Sequence, residues 1–292
     1  MDAWITAHVD AVGPVELVHD RPWATVSRVP TPDGVVWFKQ CKPVQAFEPR
    51  LTVALAERWG DLLPVVIAAD EERGWLLLAD AGSPLGIFGD PEPWLSVLPR
   101  YAELQRGETE HAATHLAAGV PDRTLAAFPA LYDDVIEREL PISAAEVATL
   151  RAFRPRFAEL CAELAAHGPE QTIQHDDLHG ANVYFRDESP RILDWGDSCV
   201  SHPFLAPFVT FMHLAEAHRI DPWRGRLRDA YLEPWGSPHE HRDAFELAQR
   251  LGVFAHVFKE LRVMDTLPAT ERAAFGAGLP ALLRGCVAQT TD

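Results

Sequence analysis

From residue 15 to residue 40, three short β-rich runs, VELVH, ATVSRV and VVWFKQ, are separated by the polar loop DRPW and the turn PTPDG. That pattern predicts antiparallel strands. Pro32-Asp33-Gly34 lies between the second and third runs and predicts a hairpin, because Gly34 can adopt the positive φ such a turn requires. Leu51, Ala54, Leu55 and Arg58 then recur at helical spacing, predicting a helix over residues 50–59 that Gly60 stops. The runs VVIAA and WLLL, on either side of DEERG, predict a second hairpin.

Beyond Asp80-Ala81-Gly82 the pattern becomes helical. Trp94, Val97, Leu98, Tyr101 and Leu104 fall on one helical face. Val147, Leu150, Phe153, Phe157, Leu160 and Leu164 do the same over residues 146–166, with a kink expected at Pro155. Further helices are predicted over residues 204–219, 240–264 and 270–288, and short strands at QTIQ, NVYF and RILDW, between residues 171 and 195. The fold class is therefore α+β. Residues 1–79 form a small antiparallel sheet with one helix, residues 80–292 a mainly helical lobe, and residues 79–82 the hinge.

Composition narrows the function. At 292 residues the chain suits two lobes, and 47% apolar residues suffice for their cores. No apolar run approaches the ~20 residues of a membrane-spanning helix. The opening MDAWITAHVD has no basic stretch, so a cytoplasmic protein is expected. The four scattered cysteines lack C-x-x-C spacing and predict unpaired, mostly buried thiols. A net charge of -17 argues against nucleic acid as a partner. The acids are uneven: residues 80–146 carry 12 against 4 bases, while residues 1–79 carry 11 against 7. An acidic face of this kind attracts a cationic ligand, or serves only solubility. Lysine occurs at three positions alone, Lys39, Lys42 and Lys259, which singles out the one on a predicted strand.

Candidate chemistry concentrates in QHDDLHGANVYF, residues 174–185, and RILDWGD, residues 191–197. A strand ending at His175, a polar loop, a strand after Asn182 and a third strand ending on Asp194 would set Asp177, Asn182 and Asp194 at strand ends. Phosphoryl transfer needs such a set: one carboxylate to orient and deprotonate the attacking hydroxyl, and hard oxygen ligands for Mg. The pattern His175-x-Asp177-x-x-x-x-Asn182, followed by Asp194-Trp195-Gly196-Asp197, resembles the aminoglycoside phosphotransferase and choline kinase superfamily, a relative of the protein kinases.

The resemblance implies a two-lobed protein-kinase-like fold, with a catalytic loop at residues 175–182 and a metal segment at 194–197. It implies that Asp177 is the catalytic base, that Asn182 and Asp194 hold Mg, and that His175 and Asp197 support them. Two departures stand out: Asp176 where the family usually has Gly, and Ala181 before Asn182 where Gly is common. Asp176 places a second negative charge beside the base and is a candidate to face the substrate. A transition-metal site from His175, Asp177 and His179 is the rival reading of the loop. It would require a strand where Gly180-Ala181-Asn182 predicts a loop.

The N-terminal third supplies the nucleotide side of the resemblance. Lys39 ends the third strand, as does the kinase lysine that grips the α- and β-phosphates, and Glu48 opens the next helix, where it can pair with Lys39. The turn His19-Asp20-Arg21-Pro22-Trp23 has no glycines to cover the phosphates, leaving backbone N–H groups and Arg21 for that task. By the same resemblance, the Ala79 carbonyl and the Ala81 N–H read the adenine. His111 and His115, near Glu108 and Glu110, are expected to be an exposed pair and not a metal site.

The function this implies is transfer of the γ-phosphoryl of ATP or GTP, with Mg, to a hydroxyl of a small, cationic molecule. An aminoglycoside-type antibiotic fits, and with it a role in antibiotic resistance. The same fold also serves choline, homoserine, sugars and macrolides. A nucleotide-binding pseudokinase and a metal-dependent hydrolase using His175 and His179 are the alternatives from other classes. No feature of the chain speaks to its oligomeric state.

Overall fold

A tight turn at Pro32-Asp33 pairs Thr31 with Gly34, and Gly34 takes a φ of 131°, so the predicted hairpin forms where its turn residues allow it. It joins β2 (Ala24–Thr31) to β3 (Gly34–Cys41) in a computed structural model that describes residues 1–217 and 219–291. The chain forms two compact units. One comprises residues 1–90, 117–120 and 179–197; the other comprises residues 91–116, 121–178 and 198 onward.

In the first unit, a five-stranded antiparallel sheet runs in the order β1 (Glu16–Asp20), β2, β3, β5 (Trp75–Ala79), β4 (Val66–Asp70). β3 is the central strand, and Lys39 stands between Val26 and Leu76. The helix after it, α2, spans Glu48–Arg58 and ends just before Gly60. Val29, Val36, Phe38 and Leu77 pack with Ile5 of α1 (Asp2–Thr6) into the unit's core. Trp75 meets Phe38 and Trp4 edge-on, with centroids 5.6 and 5.5 Å apart. A second sheet, β6 (Ser83–Pro84), β8 (Val183–Arg186) and β9 (Ser189–Ile192), places residues 179–197 in this unit.

The second unit is mainly helical: α3 (Trp94–Gly107), α4 (Ala112–Ala117), α5 (Phe128–Glu137), α6 (Ala144–Ala166), α7 (Pro207–Glu216), α8 (Arg224–Leu232), α9 (Pro238–Thr266), α10 (Ala269–Phe275) and α11 (Leu279–Ala288). A short sheet in this unit pairs β7 (Thr172–Gln174) with β10 (Cys199–Ser201). Tyr132 stacks on Phe157 at 4.3 Å, and Phe254 of α9 lies 5.0 Å from the same ring, so α5, α6 and α9 share a core of aromatic rings. A reciprocal Ser143–Glu146 capping box starts α6.

Several expectations change. The strand expected to end on Asp194 ends at Ile192, and residues 195–197 form a tight 3₁₀ turn. The helix over 204–219 begins at Pro207, where proline suits a first turn, and ends at Glu216; residue 218 lies outside the described residues. The segment 270–288 divides at Gly276–Gly278. His115 is not exposed: it is buried against the fully buried Glu108, with Nε2 2.8 Å from Oε2. All four cysteines are free and buried. Among the described residues, no helix is long and apolar enough to cross a membrane.

Candidate active site

In the first unit, the period of β3 turns Lys39 to the side of the sheet where α2 begins. Its Nζ lies 2.7 Å from Oε1 and 2.6 Å from Oε2 of Glu48, the first residue of α2, and 2.6 Å from Oδ1 of Asp194. Glu57, the other glutamate of that helix, is exposed. The Lys39 and Glu48 side chains are 9% and 2% exposed, but that of Asp194 is 44% exposed. The cation is thus buried behind a carboxylate that reaches solvent. Burial alone would lower the Lys39 pKa, but the charges of Asp194 and Glu48 outweigh it and hold the ammonium firmly protonated. Burial pushes Glu48 upward, and the neighbouring ammonium opposes that shift. Cys41 completes the cluster, its thiol donating to Glu48 Oε2 at 3.2 Å.

Asn182 and Asp194 are joined through the backbone, since the Leu193 N–H donates to the Asn182 carbonyl at 2.9 Å. The Asn182 N–H donates to the His179 carbonyl, closing the turn before β8. Asp194 has a φ of 62°, a left-handed conformation that costs a non-glycine residue about 1–2 kcal/mol and is typical of functional positions. A carboxylate and an amide oxygen are hard donors of the kind Mg takes, so this pair fits that ion. Asp197 accepts a hydrogen bond from Gln45 Nε2 at 3.3 Å, and a Cβ on Gly196 would collide with the Gln45 side chain. Close approach, not turn geometry, therefore requires the glycine of the D-W-G-D segment.

At residues 79–82, the Asp80 carboxylate accepts from Trp37 Nε1 at 3.0 Å and from the Gly82 N–H at 2.9 Å. The Ala79 N–H is bonded to the Val65 carbonyl, and Ala81 is buried. Arg21 lies in the exposed turn between β1 and β2; its N–H donates to the Ala24 carbonyl, and its own carbonyl accepts from Lys42 Nζ at 2.5 Å.

In the second unit, the segment 175–178 is tied from several elements. The His175 N–H donates to the buried Tyr101 hydroxyl at 2.8 Å, and Nδ1 of His175 accepts from the Asp177 N–H at 3.3 Å. The Leu178 carbonyl accepts from Thr210 Oγ1 at 2.6 Å. Asp176, with a φ of 59°, turns its side chain inward to a buried ion pair with Arg123. It is 7% exposed, paired with Arg123 in the interior, where the sequence reading expected a group facing the substrate. Asp177 is 24% exposed, and its Oδ1 lies 2.8 Å from Nζ of Lys259, on α9.

The histidines of the loop brace its backbone: Nδ1 of His179 accepts from the Ala181 N–H at 3.2 Å, as Nδ1 of His175 does from Asp177. Among the described residues, no group of three His, Cys, Asp or Glu side chains is gathered to hold a metal ion. Sequence reasoning did not assign Lys259, Arg123 or Tyr101. The rarity of lysine singled out Lys39, on a predicted strand, and nothing local links Lys259 to a loop 82 residues away.

The sequence model of the phosphotransferase enzyme family matches residues 89–247. No curated protein sequence matches the chain. Among solved structures, the chain is similar to a choline/ethanolamine kinase family protein from Mesorhizobium loti, at 18% identity and TM-score 0.64, covering 96% of this chain and 93% of that one. It is also similar to a macrolide 2'-phosphotransferase from Brachybacterium faecium, at 19% identity and TM-score 0.61, covering 95% and 96%. The GDP complex of aminoglycoside 2'-phosphotransferase-IIIa shares 16% identity at TM-score 0.67, covering 99% and 96%. These likenesses establish the kinase-like fold, and by the family match across more than half its length the chain belongs to the phosphotransferase enzyme family.

Proposed function

We propose that this small-molecule kinase transfers the γ-phosphoryl group of ATP to a hydroxyl of a small acceptor, with GTP as the second candidate donor. The observation that carries the reading is the buried Lys39 ammonium, held by Glu48 on one side and by the exposed Asp194 on the other. A protein does not bury a lysine against two carboxylates for stability alone, since apolar replacements of such groups are often no less stable. A fixed cation beside a solvent-reaching carboxylate instead suits a polyanionic ligand.

In this reading Lys39 bonds the nucleotide phosphates, and Glu48 keeps its ammonium aimed. Asn182 and Asp194 would hold Mg, which when bound neutralises phosphate oxygens as charge develops on them. Asp177 accepts a hydrogen bond from the acceptor hydroxyl, aligns it, and takes its proton as the O–P bond forms. The Ala79 carbonyl and the Ala81 N–H read the base, on a hinge that Asp80 stiffens through Trp37 and Gly82. Arg21 and the backbone of its turn cover the phosphates without glycines.

For the acceptor, the net charge of -17 supports a cationic molecule such as an aminoglycoside. The experiment is release of ADP from Mg-ATP or of GDP from Mg-GTP, with product mass, against kanamycin, a macrolide, choline and homoserine. Kanamycin is expected to give a product heavier by one phosphoryl group. Product from choline or homoserine alone would replace the antibiotic reading with a metabolic one. Nucleotide binding without any turnover, even with water as acceptor, would leave the pseudokinase reading in its place.

A further inference from the structure

We infer that Lys259, outside every motif of the chain, is the positioning residue for the catalytic base; the inference rests on the kinase reading of Asp177. Within the second unit, Asp176 and Asp177 are adjacent, yet each is gripped by a different buried cation. Arg123 holds Asp176, and Lys259 holds Asp177 at 2.8 Å. The two pairs differ in one respect that decides their use. Arg123 and Asp176 have side chains 4% and 9% exposed, so that pair is closed to ligands. Lys259 is 6% exposed, but its partner Asp177 is 24% exposed. The lysine is a hidden support for a carboxylate that a ligand can reach.

On α9, Lys259 has His256 one turn before it and Arg262 one turn after. His256 is buried and uncharged near neutral pH, because burial and then the Lys259 charge push its pKa down to about 3. Glu260 Oε1 lies 3.7 Å from Lys259 Nζ, beyond a good hydrogen bond and well outside the 2.8 Å contact with Asp177. An ammonium at that distance donates a charge-assisted hydrogen bond to the carboxylate and restricts rotation of its plane. Both properties serve a base whose main task is alignment of a hydroxyl. A purely structural lysine would need neither an exposed partner nor a place beside the catalytic loop.

The test compares Lys259→Met, Lys259→Gln and Lys259→Arg with wild type, measuring kcat and KM for Mg-ATP from ADP release with water as acceptor, and thermal unfolding alongside. The Met and Gln variants are expected to fold, to keep the nucleotide KM within about threefold, and to lose about 10- to 100-fold in kcat. Arg, which keeps the charge, should recover most of that loss. Should Met prove too poorly folded to assay, the Gln–Arg comparison decides alone. Unchanged kcat in Gln, an equal loss in Arg, or a loss expressed only in nucleotide KM overturns the assignment while leaving the kinase intact. A wild type that releases no ADP under any condition overturns the kinase reading and this one with it.

Discussion

Lys39 and Asp194, 155 residues apart in the chain, are joined by a 2.6 Å contact between Nζ and Oδ1. The contact brings the central strand of the five-stranded sheet to a residue two positions beyond β9. It gives the first unit a cation and a hard anionic ligand side by side. Lys39→Ala should therefore weaken nucleotide binding by about 1.5–3 kcal/mol, the worth of a charge-assisted hydrogen bond. Calorimetric titration with Mg-ATP measures it, and affinity equal to wild type would remove Lys39 from the site.

Asp194→Asn tests the other partner. It removes the charge that would hold a divalent cation but keeps the side chain's size, so turnover that depends on Mg should be abolished. The Lys39–Glu48 pair does not need Asp194 and should keep the unit folded. Turnover by the variant at wild-type rate, or wild-type turnover that survives complete chelation, contradicts the metal role.

Asp177→Asn should retain nucleotide affinity and lose about 10²–10⁴-fold in turnover, the usual span for a positioned acid or base. Asn keeps the shape but cannot take a proton. Asp176→Asn is the informative neighbour. Its carboxylate is buried against Arg123, so its loss should appear as reduced thermal stability and not as a changed acceptor preference. The opposite pattern, with Asp176→Asn inactive and Asp177→Asn active, would show that the base is misassigned by one residue.

Acid should destabilise the fold through buried histidines. Burial lowers the pKa of His202 from 6.5 to about 4, and burial together with the Lys259 charge lowers that of His256 to about 3. The folded state therefore binds fewer protons than the unfolded state between about pH 6.5 and these lower values. The stability they contribute is full above 6.5 and lost as pH falls, by at most about 1.4 kcal/mol per pH unit for each. Urea midpoints at pH 7.5 and 5.0 measure the slope, and His256→Gln should remove its own share. An unchanged slope in that variant would mean that His256 does not titrate this way.

The sequence by itself determined the elements and the chemical inventory. The β-rich runs of residues 15–40 placed β1 to β3, and Pro32-Asp33-Gly34 placed the turn between β2 and β3, because turn chemistry and strand preference act locally. Local signals also yielded the long helices and the spacing from His175 to Asp197. The short amphipathic helix α5 and the polar α8 escaped that reading, since their helical state depends on neighbours in space. Only the tertiary structure decided which charges meet. Nothing around residue 176 tells that Arg123 will draw Asp176 into the interior, and nothing around Lys259 tells that it will stand behind Asp177. Those pairings depend on where packing buries each side chain, and a buried charge must find a partner wherever the fold supplies one.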